Sequence, residues 1–541
     1  MNLLSRCFRF LLQTSSPRFI GWTLGPTFFL WIFWQLWGVG IIRPPWEDEI
    51  LYTLPAVNWI QTGVFAIPQL GDFMGASKTW GWHAPGFTVG MATWLLIMPL
   101  ELWSIRLYSI LPAAVLLALC AFAAFKLSGS SRLAALFSIG IFFFDKTFVI
   151  QSSVGRMEFH AALFLTASIL TLLFESNDSL SKTSKISLAG FLFGLSGCFH
   201  PITVYFSPAL IFALWHYDSP KTMTFLRNGI RFSLFGLIPI GASALWIIWM
   251  GPEAVSQFIS SVSGSRSVET RGDLSTVLEM LTYNFRFQPA ILLAVFVVLL
   301  SPLIMFFKNN KTSENIHQSI HKKAFCCFAI LIACFLFAIT RGSTSNLNYY
   351  TYLNLWFMML FATSIGSIIH CTPQRSLIGL VIIFSFLLFI NNLAFAVAKT
   401  YTVVANDHKQ SETRLKIFVQ ENGILQNTKV ILPPNMWFLA IKQNLTWRVS
   451  YLTLIGQKES TYNAYLRDNL AWNPEFIVLD REDWPGRSYK NEYLTDRRFI
   501  KSKSFTEVFK HRPKYSGWRL TLFKKSDGNS PQGTTDLIEN Q

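Results

Sequence analysis

The sequence predicts a polytopic all-α membrane protein of about 11 transmembrane helices with a small C-terminal extramembrane α/β domain. Three observations predict it. Of 541 residues, 51% are hydrophobic and only 14% charged, against about a quarter charged in a soluble domain. Apolar runs of roughly 17–25 residues recur along the first three quarters of the chain, each long enough to cross a bilayer. After Lys399 the runs stop, and short strand-like and helical patterns alternate with polar residues.

Charge and cysteine content narrow the class further. The net charge of +16 is accounted for by lysines and arginines in cytoplasmic loops and a basic tail, so no nucleic-acid partner is expected. The seven cysteines all precede residue 372 and none shows zinc-type spacing, so they read as small buried hydrophobes rather than a disulfide framework. The aromatic share of 16% suits lipid-facing helices and interfacial belts.

The N-terminal segment carries Arg6, Arg9 and Arg18 ahead of an apolar run over 20–42. That run is too long for a cleaved signal and reads as an uncleaved first helix with a cytoplasmic start. Next comes Arg43-Pro44-Pro45-Trp46-Glu47-Asp48-Glu49, where two prolines break the helix and three carboxylates fall at the membrane surface. A long external loop follows to residue 85, with a helix over 51–62, breakers at Gly63, Pro68, Gly71 and Gly75, and the closing stretch Trp80-Gly81-Trp82-His83-Ala84-Pro85. Lys126 and Arg132 mark the next inner turn, which allows one crossing, placed at 105–127, and leaves 87–103 re-entrant or interfacial.

Further spans are expected over 133–150, 159–174, 186–199, 201–216, 232–250, 289–307, 324–340, 351–370 and 377–398. Asp145-Lys146 falls inside one of them as a self-neutralising pair, and Lys221, Arg227 and Arg231 read as a basic loop. An amphipathic or loop stretch is expected over 252–287. Gly190, Gly194 and Gly197 lie at helical spacing and read as a helix-packing face. In the tail, strands are expected at 430–433, 476–480 and 518–523 with helices at 412–421 and 460–469. The resulting division is 1–399 transmembrane, 400–525 external α/β, and 526–541 a disordered tail.

This topology puts Asp48, Glu49, Lys78, His83, Arg156, Glu158, His200 and Arg341 on one outer side, with Tyr349 and Tyr350 in the loop that Arg341 opens. A carboxylate with cations nearby can deprotonate a hydroxyl while a phosphate leaving group is neutralised, or hold a divalent cation. Taken singly, Arg156 and Arg341 read equally well as helix-end anchors, and His83 and His200 as structural histidines. No Walker A loop, dinucleotide-binding glycine motif, zinc-protease helix or nucleophile elbow stands in a supporting context.

The pattern resembles the GT-C membrane glycosyltransferases, in particular the branch of protein O-mannosyltransferases and lipid A aminoarabinose transferases. The residues that carry the resemblance are Asp48-Glu49 after one helix, Ala66-Ile67-Pro68-Gln69-Leu70, Trp82-His83-Ala84-Pro85-Gly86, and Ser153-Val154-Gly155-Arg156-Met157-Glu158. Where the family has a Lys-Pro-Pro or His-Pro-Pro element, this chain lacks one proline and Lys78 stands earlier, so His83 is the better match. Glu158 stands where the family carries Asp.

The resemblance implies a polyprenyl-phosphate sugar donor, an acceptor lipid, glycan or protein, and an active site on the lumenal or periplasmic face; the tail, with no retention signal and no cysteines, points to a bacterial inner membrane. It also implies inversion, with Asp48 as base and Glu49 beside it. Lys78, His83, Arg156, Glu158, His200, Arg341, Tyr349 and Tyr350 would bind substrate. A divalent cation (Mg or Mn) on Asp48 and Glu158 is optional across the family. Two rival classes share these charges: a flippase of lipid-linked sugars, and a non-catalytic sugar-binding membrane protein. Charges gathered at one face, and no internal repeat, favour the enzyme over the transporter.

Overall fold

The structure, a computed structural model, describes residues 17–37, 47–128, 132–174, 181–218, 222–262, 393–401, 416–424, 428–450, 459–480, 499–508 and 517–525, with single positions besides, chiefly within 352–404. These residues form two compact units: one of residues 1–39, 55–63 and 80–401, the other of 40–54, 64–79 and 402–541. The expected spans over 289–340 and most of the two that follow, and the count of about 11, lie outside the described residues.

In the helical unit, α1 is Pro17–Trp37. Helix α2, Glu47–Thr62, begins in the second unit and ends in the first. Then follow α3 (Pro85–Leu95), α4 (Leu102–Leu127), α5 (Arg132–Phe144), α6 (Lys146–Ser152) and α7 (Glu158–Leu173). Helices α8 (Lys182–Phe199), α9 (Ser207–Asp218), α10 (Thr222–Trp249) and α11 (Pro252–Val262) complete the described part. Two of them, α4 and α10, are long and apolar enough to cross a membrane. By contrast the 11 residues of α3 reach only about 16 Å at 1.5 Å per residue. Prolines stand inside α1, α2, α4 and α10 (Pro26, Pro55, Pro112, Pro239); packed membrane helices tolerate them because neighbours and local adjustments satisfy the freed carbonyls.

Three local readings change. The run 133–150 is two helices, broken at Asp145, whose carboxylate accepts from Phe148 N–H at 2.7 Å and so caps α6. Asp145 is buried, and its carboxylate serves as the N-cap of α6; the side chain of Lys146, its expected partner, lies outside the described residues. Helix α10 starts at Thr222, so Arg227 and Arg231 stand on the helix, Arg227 exposed; a long cationic side chain suits such a place because its stem is apolar and its head stays in water. The acidic cluster is the first turn of α2 rather than a loop before it, where carboxylates meet the positive end of the helix dipole.

Helices α8 and α10 touch backbone to backbone. A Cβ added at Gly190 would stand 2.1 Å from the Phe232 carbonyl oxygen, and one at Gly194 2.0 Å from that of Gly236. The small-residue face is real at these two positions, while at Gly197 the nearest atom is 3.9 Å away.

The second unit holds a five-stranded sheet of order β2-β1-β3-β5-β4: β1 Lys429–Leu432, β2 Thr446–Val449, β3 Phe476–Asp480, β4 Phe499–Val508 and β5 Gly517–Lys525. Strands β2, β1 and β3 run parallel, and β3–β5–β4 antiparallel. Parallel neighbours need helical crossovers, supplied by α12 (Trp437–Lys442) and α13 (Glu459–Ala471). Val430, Ile431, Leu432, Ile477, Val478 and Leu522 are fully buried and form its core. Strands β2 and β4 are additional to the three expected; β4 carries Lys501 and Lys503, the kind of residue that guards a sheet edge.

Candidate functional site

In the helical unit the expected residues gather where the starts of α3 and α7 meet the end of α8. Gly86, in the first turn of α3, lies so close to α8 that a Cβ there would be 2.5 Å from the Cys198 carbonyl oxygen. Around that contact the rings of Phe87, His160 and Phe199 pack together. His160 stacks on Phe199 (5.0 Å, 11°), meets Phe87 edge-on at 5.2 Å, and lies 4.4 Å from the Tyr108 ring of α4. His83 stands three residues before Gly86 and His200 directly after Phe199, so both flank this junction.

Arg156 and Glu158 come together in the same region. The guanidinium of Arg156 donates from Nε to both carboxylate oxygens of Glu158 (2.9 and 3.1 Å) and from Nη2 to Oε1 (2.5 Å). Their side chains are 5% and 4% exposed, so the pair is buried. Ser109 of α4 clamps the Arg156 backbone: its hydroxyl donates to Arg156 O (2.9 Å), and Arg156 N–H donates to Ser109 Oγ (3.1 Å). Arg156 precedes α7 and Glu158 opens it, so the two meet although residues two apart on one helix face away from each other.

The aromatic stretch before His83 is held by α11. Gly81 N–H donates to Gln257 Oε1 at 2.6 Å, and no Cβ fits at Gly81 because the Ala254 carbonyl oxygen would be 2.4 Å from it. Trp80 and Trp82 are buried and stacked 6.4 Å apart, and Trp80 meets the half-buried His83 edge-on at 6.1 Å. His200 is buried, its ring stacked 6.1 Å from that of Tyr352.

Asp48, Glu49 and Lys78 belong to the other unit. Glu49 is fully buried and Asp48 half-buried in the first turn of α2, while Lys78 is exposed at the end of a tight loop. Arg341, Tyr349 and Tyr350 lie outside the described residues. For a divalent cation the donor set fits poorly: Arg156 occupies both oxygens of Glu158, and among the described residues no three His, Cys, Asp or Glu side chains are grouped to hold an ion.

Sequence reasoning passed over His160, Ser109 and Gln257. None is charged in its reading, and the available signals were slight: a histidine two residues after Glu158 in an otherwise apolar run, and a lone glutamine on an amphipathic helix. The Nδ1 atom of His160 is buried with no hydrogen-bond partner among the described residues, so aromatic packing is what holds this ring.

The described residues form a largely helical unit with a charged junction at the ends of several helices, and a separate unit with a mixed sheet. Two solved structures share the fold of this chain. ArnT from Cupriavidus metallidurans bound to undecaprenyl phosphate aligns with a TM-score of 0.55 over 95% of this chain and 99% of that one, at 11% identity. The same enzyme in the apo state aligns with a TM-score of 0.50 and the same identity and coverage. ArnT is a lipid A aminoarabinose transferase of GT-C fold, and the likeness establishes that fold for this chain. No family model matches the sequence, and no curated protein matches it.

Proposed function

We propose that the protein is a GT-C glycosyltransferase that moves a monosaccharide from a polyprenyl-phosphate donor to an acceptor hydroxyl at the outer face of a bacterial inner membrane. The observation that carries this reading is the fold shared, over nearly the whole of both chains, with a protein solved with undecaprenyl phosphate bound. The acceptor, on this reading, is a lipid, glycan or protein hydroxyl.

In the reaction the acceptor oxygen attacks the anomeric carbon as its proton passes to a carboxylate. The bond from that carbon to the phosphate oxygen breaks, and polyprenyl phosphate leaves from the opposite face, so the anomeric configuration inverts. Asp48 is the base. Its half-buried position keeps it reachable, while the full burial of Glu49 suits a carboxylate that orients its neighbour. Charge developing on the departing phosphate is stabilised by cations. Arg156 is tied to Glu158 in a bidentate pair, which favours a positioning role for that pair; His83 and Arg341 take the phosphate-neutralising role, and Lys78 a substrate-binding one, as the resemblance implies.

The test is transfer by purified full-length protein from a panel of labelled polyprenyl-phosphate sugars, with a membrane extract as acceptor and Asp48→Asn alongside. Transfer by wild type and at least a hundredfold less by a well-folded Asp48→Asn would support the reading. Equal transfer by both would remove Asp48 from the mechanism. Retained binding of a lipid-linked sugar without transfer from any donor would favour a flippase.

A further inference from the structure

Part of the first loop folds with the end of the chain. Segments 40–54 and 64–79 belong to the compact unit built by residues 402–541, so Asp48, Glu49 and Lys78 all sit in that unit. Within it, residues 68–75 form two short 3-10 turns, Pro68–Leu70 and Phe73–Gly75, closed at the base by Ile67 N–H donating to Ala76 O at 2.7 Å.

This loop is clasped by β2 and α13. Asp72 N–H donates to Asp468 Oδ2 (3.1 Å), and the same oxygen accepts from Arg448 Nη1 (2.9 Å). Arg448 also donates to the Asp468 carbonyl (3.2 Å) and lies over the Trp472 ring, 5.1 Å from its centre, which fixes its fork. Beside this, Phe73 meets Tyr465 edge-on at 6.2 Å, and Tyr465 is anchored by its hydroxyl donating to Val449 O at 2.5 Å. Gly71 shows how closely the loop is shaped to its seat. Its φ of +58° favours glycine, and a Cβ would stand 2.2 Å from Asp468 Oδ2 and 2.9 Å from Arg448 Nη1. Two residues past Ala76 the chain presents Lys78, whose N–H donates to Gly75 O at 3.0 Å.

We propose that the C-terminal α/β domain is a working part of the transferase, with Asp468 and Arg448 as positioning residues that hold the first loop, and Lys78 with it, in the conformation that transfer requires. This rests on the transferase reading above. The alternative is a domain that is merely appended, whose loss of the clasp leaves chemistry untouched.

The experiment uses the full-length protein in detergent, wild type beside Arg448→Ala, Asp468→Ala, the conservative Arg448→Lys, and Lys525→Ala as a control that cuts only the surface contact from Lys525 Nζ to Asn473 Oδ1 at 2.8 Å. Hydrogen exchange is followed on peptides from 64–79 and from the helical unit, and transfer kinetics on the donor that wild type accepts. The expected result is faster exchange confined to 64–79 in the two alanine variants. With it, kcat falls about ten- to a hundredfold, the order expected when a group is misplaced by about 1 Å, while KM for the acceptor moves less than about twofold. Arg448→Lys, which keeps charge without the fork, recovers part of kcat, and Lys525→Ala behaves as wild type. Unchanged exchange at 64–79 would overturn the clasp. Faster exchange with unchanged kcat would overturn the positioning role. A wild type inactive with every donor would overturn the transferase reading and its catalytic consequence, while the exchange pattern alone would still uphold or overturn the clasp.

Discussion

Removing the Glu158 carboxylate should cost far more than an ordinary surface substitution. Arg156 and Glu158 share three N–H···O contacts of 2.5–3.1 Å and are 5% and 4% exposed. Hydrogen bonds to charged groups contribute about 1.5–3 kcal/mol, but the larger effect is the guanidinium left buried without its counter-charge. Breaking such a pair from one side costs about 3–5 kcal/mol, a large share of the roughly 5–15 kcal/mol that holds a protein folded. The perturbation is Glu158→Ala, with Arg156→Ala and the double variant closing a cycle, each measured by reversible unfolding in mixed micelles. Either single change should cost about 3–5 kcal/mol and the double change clearly less than their sum. An apolar pair, Arg156→Met with Glu158→Leu, should return to within about 2 kcal/mol of wild type, since burying two charges is itself costly. A Glu158→Ala cost under about 1 kcal/mol, or strict additivity, would refute the reasoning: the pair would then be solvated and Arg156 free to serve as a phosphate cation.

Two further outcomes follow from helix geometry. Gly194→Ala should destabilise by about 1–3 kcal/mol, because its Cβ would press on the Gly236 carbonyl; Gly197→Ala, with its nearest atom 3.9 Å away, should be neutral or stabilising by up to about 1 kcal/mol through helix propensity. Thermal unfolding of the two variants in one detergent decides the sign. Asp145→Ala should cost about 1 kcal/mol through loss of the α6 cap, read in the same assay, whereas Asp145→Asn, which can still accept from Phe148 N–H, should recover most of it.

Among the described residues, apolar length told where several helices lie, because hydrophobic runs and helix spans obey one length scale. The expected 159–174 is Glu158–Leu173, and 105–127 lies within Leu102–Leu127. Boundaries set by single hydrogen bonds were not legible. Hydropathy runs straight through Asp145, and only its carboxylate on Phe148 N–H shows the break. Charge counting also misled at Arg227 and Arg231, which a helix end carries as readily as a loop. At the junction, His83, Arg156, Glu158 and His200 were visible as charged or imidazole groups at helix ends. The pairing of Arg156 with Glu158 was not, because it depends on the backbone turning between them at Met157. Least legible was the clasp: nothing local to Asp72 points to Asp468, 396 positions away.

The interleaving of the two units also has a consequence for how the chain is made. Residues 40–54 and 64–79 leave the ribosome early, yet the rest of their unit begins only at residue 402. At about 5–20 residues per second, translation takes on the order of 16–65 s to reach that residue, and about 22–89 s to complete β5. Through that interval the acidic turn and its loop have no partner sheet, while the intervening helices are being inserted. Closing contacts across so long a stretch is entropically slow. A nascent chain would therefore carry its carboxylates unassembled until β5, the last of the described strands, arrives, and a product truncated ahead of it would lack the strand that lies between β3 and β4.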